Sequence, residues 1–143
     1  MRADPPPPDP LILRTVPHRP PILRIHTLLA TTADTASTAG HEPTGPGALP
    51  WAAGAIEGLA QTAAVLLGHL AGEPAAGAAA PRGMLVSCKR FTIVQDPDPA
   101  QPIHYHVQLV RRLGPNALVR GHAEQGGRQL GGGELTLWTN VGG

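Results

Sequence analysis

PWAAGAIEGLAQTAAVLLGHLAG, residues 50–72, is the stretch on which the fold turns. Ile56, Ala60, Ala63, Leu67 and Leu70 recur at spacings of four and three, the period of one helical face. Pro50 stands in the first turn, where proline is tolerated, and Gly72 is a natural stop. The other positions are mostly Ala, Leu, Val and Gly, so the segment is apolar nearly all round, and a helix of that kind is wrapped by other structure. Its lone acid is Glu57. An unpaired buried carboxylate costs several kcal/mol, so this residue calls for a partner or a function.

C-terminal to the helix, GEPAAGAAAP (72–81) reads as a flexible linker, and four strand-like segments follow. They are Met84–Val94, Ile103–Arg111, Ala117–Glu124 and Gln129–Thr139. In the second, Ile103, Tyr105, Val107 and Leu109 alternate with His104, His106, Gln108 and Val110. Leu113-Gly114-Pro115-Asn116 and Gln125-Gly126-Gly127 read as hairpin turns, and residues 96–99 as a longer loop. Gly131-Gly132-Gly133 precedes no helix, so it marks a bulge or close backbone approach and not a phosphate loop.

N-terminal to the helix, Ile22–Ala30 and Thr31–Thr38 read as two strands with a turn near Ala33-Asp34, and GHEPTGPG (40–47) as a loop. Leu11–Arg14 allows one short helical turn, and His18–Pro21 reads as extended because each proline restricts its predecessor. The expected organisation is a flexible proline-rich segment, 1–15, followed by one domain, 16–143. The expected class is α+β, a meander of antiparallel strands curled round one central helix.

A chain of 143 residues is long enough to bury a core without metal or disulfide. Only 3% of it is aromatic, so Leu, Ile and Val carry the packing, and a thin core of this kind gains stability by dimerising. Eleven basic and ten acidic residues leave a formal charge of +1, which gives no bulk attraction to nucleic acid or to an anionic membrane. Glu57, Gln61 and His69 interrupt the longest apolar stretch, which argues against a membrane span. The N-terminal MRADPPPPDP has no secretory apolar run, and Cys88 is the single cysteine; a cytoplasmic location is expected.

Several short motifs share the order of a known family. Val16-Pro17-His18-Arg19-Pro20-Pro21 resembles the PHR-x-P opening of the hot-dog-fold 3-hydroxyacyl-acyl carrier protein dehydratases. Gly40-His41-Glu42-Pro43 is similar to their Gly-His-Phe-Pro motif, and Pro50 with Ile56-Glu57 and Ala60-Gln61 to their helix motif. Cys88–Phe91, Val107–Arg112 and Gly133–Leu137 resemble their later strands. The combination Leu49-Pro50-Trp51 with Ile56-Glu57 looks closer to dehydratase-like subunits of aryl-polyene and type II polyketide pathways. The resemblance implies a hot-dog fold, with an antiparallel sheet wrapped round one long helix. It also implies a homodimer or a heterodimer with a related subunit, sites at the subunit interface, and a substrate borne on the phosphopantetheine arm of acyl carrier protein. No further cofactor and no metal is expected.

The implied reaction is loss of water from a 3-hydroxyacyl thioester. A base must take the proton beside the thioester, and an acid must protonate the leaving hydroxyl. Neutral histidine suits the first task, and a carboxyl group set in an apolar wall suits the second. By resemblance the catalytic pair is His41 and Glu57, contributed by different subunits. Gln61, one turn after Glu57, is placed to orient it. Trp51, Gly54, His18 and Arg19 complete the expected substrate-binding set, with His18 at the rim. Glu42 replaces the family's phenylalanine, Trp51 replaces its glycine after the proline, and the loop between His41 and Glu57 is longer than the family's. A hot-dog acyl thioesterase and a non-catalytic, dehydratase-like partner subunit remain the competing functions.

Overall fold

The computed structural model describes residues 7–19, 22–43, 46, 48–72 and 83–139. The first six residues, Pro20-Pro21, most of the 44–47 loop and the linker after Gly72 lie outside the described residues. In chain order the elements are α1 (Pro10–Thr15), β1 (Ile25–Thr31), β2 (Thr35–Gly40), α2 (Trp51–Ala71), β3 (Gly83–Ile93), β4 (Ile103–Leu113), β5 (Asn116–Gln125) and β6 (Arg128–Thr139).

All six strands form one antiparallel sheet in the order β1-β2-β4-β5-β6-β3. This is not the simple meander that the sequence suggests. β2 pairs directly with β4, and β3 lies at the far edge beside β6. The chain leaves β2, runs through α2 across the sheet, and re-enters at the opposite edge.

Strand alternation sets the two faces. Ala36 and Thr38 of β2, Ile103, Tyr105 and Val107 of β4, Ala117, Val119 and Ala123 of β5, and Leu130, Leu135 and Leu137 of β6 are buried with α2 in one core. On α2 the fully covered residues include Ala55, Leu59, Ala63, Val65 and Leu66. Each buried Leu adds about 2 kcal/mol by removal from water. The helical stripe read from the sequence is only partly the core face. Ala63 and Leu67 are buried, but Ile56 and Ala60 are half-covered and Leu70 is exposed.

The sheet side of α2 carries small residues because the helix lies close to β4: a Cβ on Gly58 would overlap the Tyr105 ring. A hydroxyl pair also ties helix to sheet, since Thr62 Oγ1 donates to the Gly58 carbonyl at 2.8 Å and lies 2.9 Å from Thr38 Oγ1. At the β3 edge, the register slips between Lys89 and Thr92, and Arg90 takes φ 53°. Gly133 faces this bulge, where a Cβ would come within 2.7 Å of the Phe91 Cα. Met84, Val86 and Val94 stay exposed along the same edge.

Residues 10–15, grouped by sequence with the flexible segment, form α1. Asp9 caps it by accepting from the Leu11 amide, and Ile12 is fully buried in the common core. Beyond α1, the Arg19 carbonyl accepts from Ile22 N at 3.0 Å and from Leu23 N at 3.2 Å, while the extension expected over residues 18–21 falls partly on Pro20-Pro21, outside the described residues.

Candidate active site

Glu57 lies one and a half turns into α2, on the flank that neither the sheet nor α1 covers completely. Its Oε1 accepts a hydrogen bond from Gln61 Nε2 at 3.0 Å and faces His18 Nε2 at 3.5 Å. The carboxylate is 28% exposed and the imidazole 42%, so solvent and a ligand have access to both. The pair borders a cavity of about 230 Å³ whose other walls include Val16, Ala60, Met84 and Leu137. An apolar cleft with a few convergent polar groups is the usual form of a small-molecule site.

Gln61 joins this cavity to the chain N-terminal to β1. Its side chain is almost wholly buried and is satisfied at both ends. Oε1 accepts from Arg24 N at 2.8 Å, and Nε2 donates to the Ile22 carbonyl at 3.0 Å as well as to Glu57. The amide therefore has a fixed orientation, and so does the carboxylate it holds.

A second polar sector lies at the start of α2. Arg24, with a side chain only 3% exposed, forms an ion pair with Glu42. Its guanidinium lies against Gly54, where any Cβ would clash with it. Glu42, standing where the family motif has phenylalanine, is thus the counter-charge of a buried arginine. His41 Nδ1, Glu42 Oε2 and Trp51 Nε1 are buried with no hydrogen-bond partner among the described residues. Burial first, and the charge of His41 second, push the His26 imidazole below its ordinary value.

The predicted site residues therefore fall into separate groups. Glu57, Gln61 and His18 come together at the cavity, with His18 Nε2 3.5 Å from the carboxylate. His41, Trp51 and Gly54 are not among the residues lining that cavity in the same chain. Arg19 turns back on its own segment, donating to the Val16, His18 and Leu13 carbonyls at 2.7, 2.8 and 3.0 Å. Sequence reasoning missed Arg24. An isolated arginine between Leu23 and Ile25 signals burial only if its partner Glu42 is recognised.

An antiparallel sheet wrapped on one face round a single long helix, with a carboxylate on that helix beside an apolar cavity, defines a hot-dog-fold protein. Comparison with solved structures agrees. The chain is similar to the dehydratase heterocomplex ApeI:P from Xenorhabdus doucetiae, with TM-score 0.72, 19% identity and 89% of each chain covered. It is also similar to a sigma28-regulated virulence protein from Campylobacter jejuni, with TM-score 0.65, 9% identity, and 91% of this chain and 95% of that one covered. A hypothetical thioesterase from Streptococcus pneumoniae, solved with coenzyme A, gives TM-score 0.58 at 7% identity over 79% of this chain and 84% of that one. No family model matches the sequence, and no curated protein shows significant similarity to it. No helix among the described residues is long and apolar enough to cross a membrane.

Proposed function

We propose that this chain is a subunit of a 3-hydroxyacyl-thioester dehydratase, acting on acyl groups carried by acyl carrier protein, with Glu57 as its acid. The observation that carries this reading is the setting of Glu57: a helix carboxylate, oriented by a buried glutamine, at the mouth of a largely apolar cavity. The reaction removes a proton from the carbon beside the thioester and breaks the bond between the β carbon and its hydroxyl, which departs as water. The recorded contacts of Glu57 fall on Oε1, leaving Oε2 to protonate that hydroxyl. His18 positions the carboxylate.

In this reading the α-proton goes to a neutral imidazole. His41 does not line the Glu57 cavity of its own chain, which supports a base supplied across a subunit boundary. The supplier is His41 of a second copy or the corresponding histidine of a related chain. The exposed apolar edge of β3 leaves room for such a partner. The similarity to a dehydratase heterocomplex supports the mixed pairing.

An acyl thioesterase is the second reading, because the same carboxylate could activate water against the thioester carbonyl. The likeness to a structure described as a hypothetical thioesterase favours it. Incubation with a 3-hydroxyacyl-acyl carrier protein, with this chain alone and with a related subunit, separates the two. Loss of water with the thioester intact is the expected result. Release of free thiol without loss of water would replace the dehydratase by a thioesterase. Full activity of a Glu57→Gln chain in a mixed complex would make this subunit non-catalytic.

A further inference from the structure

The face of the sheet turned away from α2 holds a cluster that the dehydratase reading does not use. Ser37 of β2 is the register partner of His106 on β4, and His106 is the register partner of His122 on β5. The two imidazoles stack with centroids 4.8 Å apart. Glu124, two residues after His122 on the same face, points back to both: His106 Nε2 lies 3.3 Å from Oε1 and His122 Nε2 4.0 Å from Oε2. One donor atom from each of the three residues lies within 4.8 Å of the others, beside an open cavity of about 550 Å³. We propose that His106, His122 and Glu124 form a binding site for a divalent transition-metal ion, with zinc the metal that this donor set fits best.

The geometry is close to what zinc requires. Bonds of about 2.0–2.1 Å in a tetrahedron place ligand atoms about 3.4 Å apart. The His106–Glu124 edge already has that length, and the His122–Glu124 edge is 4.0 Å. His106 is oriented from behind, because Nδ1 lies 2.7 Å from Ser37 Oγ. The tautomer donating from Nδ1 to Ser37 turns the Nε2 lone pair toward the carboxylate, two acceptors that a cation between them would satisfy. Burial first, and the charge of His106 second, lower the His122 pKa, with Glu124 partly opposing them. Neutral imidazole is the form that binds metal.

The surroundings admit the ion. Arg120 lines the same cavity, but its guanidinium is drawn to Glu134 at 3.4 Å. Gly132, the register partner of His122 on β6, carries no side chain, and a Cβ there would crowd the His122 backbone and Cβ at 3.0 Å. Three protein ligands leave a fourth position for water or an anionic group. Along one strand His104 and His106 lack a third ligand. The ligands instead come from pairing β4 with β5, which residue spacing in the sequence does not display.

Calorimetric titration of the full chain with zinc chloride at pH 7 tests the site. One zinc per chain is expected, with affinity reduced at least tenfold in His106→Ala and His122→Ala and unchanged in His69→Ala, which alters an exposed histidine far along α2. Cobalt(II) should give a visible absorption band that His122→Ala abolishes. Crystals of the unaltered protein grown with zinc should show an anomalous peak among the three side chains, a readout that does not depend on any variant folding. Less than one zinc bound at micromolar metal, equal losses in the His69→Ala chain, or an anomalous peak elsewhere would overturn the proposal.

Discussion

His18 Nε2 faces Glu57 Oε1 at 3.5 Å, although one residue precedes the sheet and the other belongs to the central helix. α1 and the turn at Arg19 make this meeting possible. Ile12 anchors α1 in the core, and Arg19 ties the following residues to its C-terminal carbonyls. The contact makes Glu57 the center of the first prediction. Glu57→Gln keeps the size and the apolar contacts of the side chain but removes its proton chemistry. Turnover of a 3-hydroxyacyl thioester should fall about 10²–10⁴-fold, the usual contribution of a general acid. The thermal transition should stay in place, and His18→Ala should lower turnover less than Glu57→Gln does.

Gln61 has a structural role that is separable from chemistry. Gln61→Ala leaves the Arg24 amide and the Ile22 carbonyl without their side-chain partner. A loss of about 3 kcal/mol is expected for these unsatisfied groups. Urea denaturation reads it, and Gln61→Met, which restores shape but not hydrogen bonds, should not rescue stability.

Gly58 lets α2 approach β4. Alanine normally gains roughly 1 kcal/mol over glycine inside a helix. At this position its methyl would overlap the Tyr105 ring, so Gly58→Ala should instead cost about 1–3 kcal/mol by overpacking. Ala53→Gly, on the exposed face of the same helix, provides the contrast by losing helix propensity; denaturant midpoints compare the two.

Tyr105 is the single tyrosine and is nearly fully buried. Burial, the largest cause, raises its pKa well above the ordinary value of about 10, with Arg24 pulling the other way. An acid raised on folding contributes stability that is complete below its unfolded value and is lost as pH rises toward its folded value. Tyrosinate absorbance should therefore appear together with loss of helical dichroism in alkaline titration. Ionisation with the dichroism intact would contradict the burial.

His26 sets a limit on the acid side. Its pKa is lowered first by burial and second by His41. A histidine lowered on folding contributes stability that is present above its unfolded value and lost as pH falls through the folded one. The denaturation midpoint should fall as pH drops below about 6.5, where the unfolded chain takes up this proton. His41→Ala should make that fall shallower, as measured by urea titrations across the range.

What could be read from the sequence follows from its local patterns. The alternation of Ile103, Tyr105 and Val107 against His104, His106 and Gln108 places β4 and its core face correctly. The apolar run from Trp51 and the stop at Gly72 delimit α2. The core face of α2 was less legible, since hydrophobic periodicity gives no weight to Gly54, Gly58 and Gly68, all of which are buried. The position of β3 was hidden for a different reason: it pairs with neither of its sequence neighbours, β2 and β4, and nothing local in GMLVSCKRFTI names β6 as its partner. Glu57 with Gln61 was legible from helical spacing. The His18 contact was not, because it depends on how α1 and the turn at Arg19 direct the chain.

The strand order also dictates when the protein can become whole. β3 leaves the ribosome before β4, β5 and β6, yet among the described residues the strand it pairs with is β6, which follows all of these in the chain. Until β6 emerges, β3 has no strand to pair with, and its backbone hydrogen-bonding groups stay open. Closure of the sheet is thus a long-range event that brings β6 between β5 and β3, pairing of the kind that slows folding. A chain that stops before Arg128 keeps its helix, its glutamate and both hairpin strands β1 and β2, but it presents an unpaired apolar strand to every other nascent chain around it.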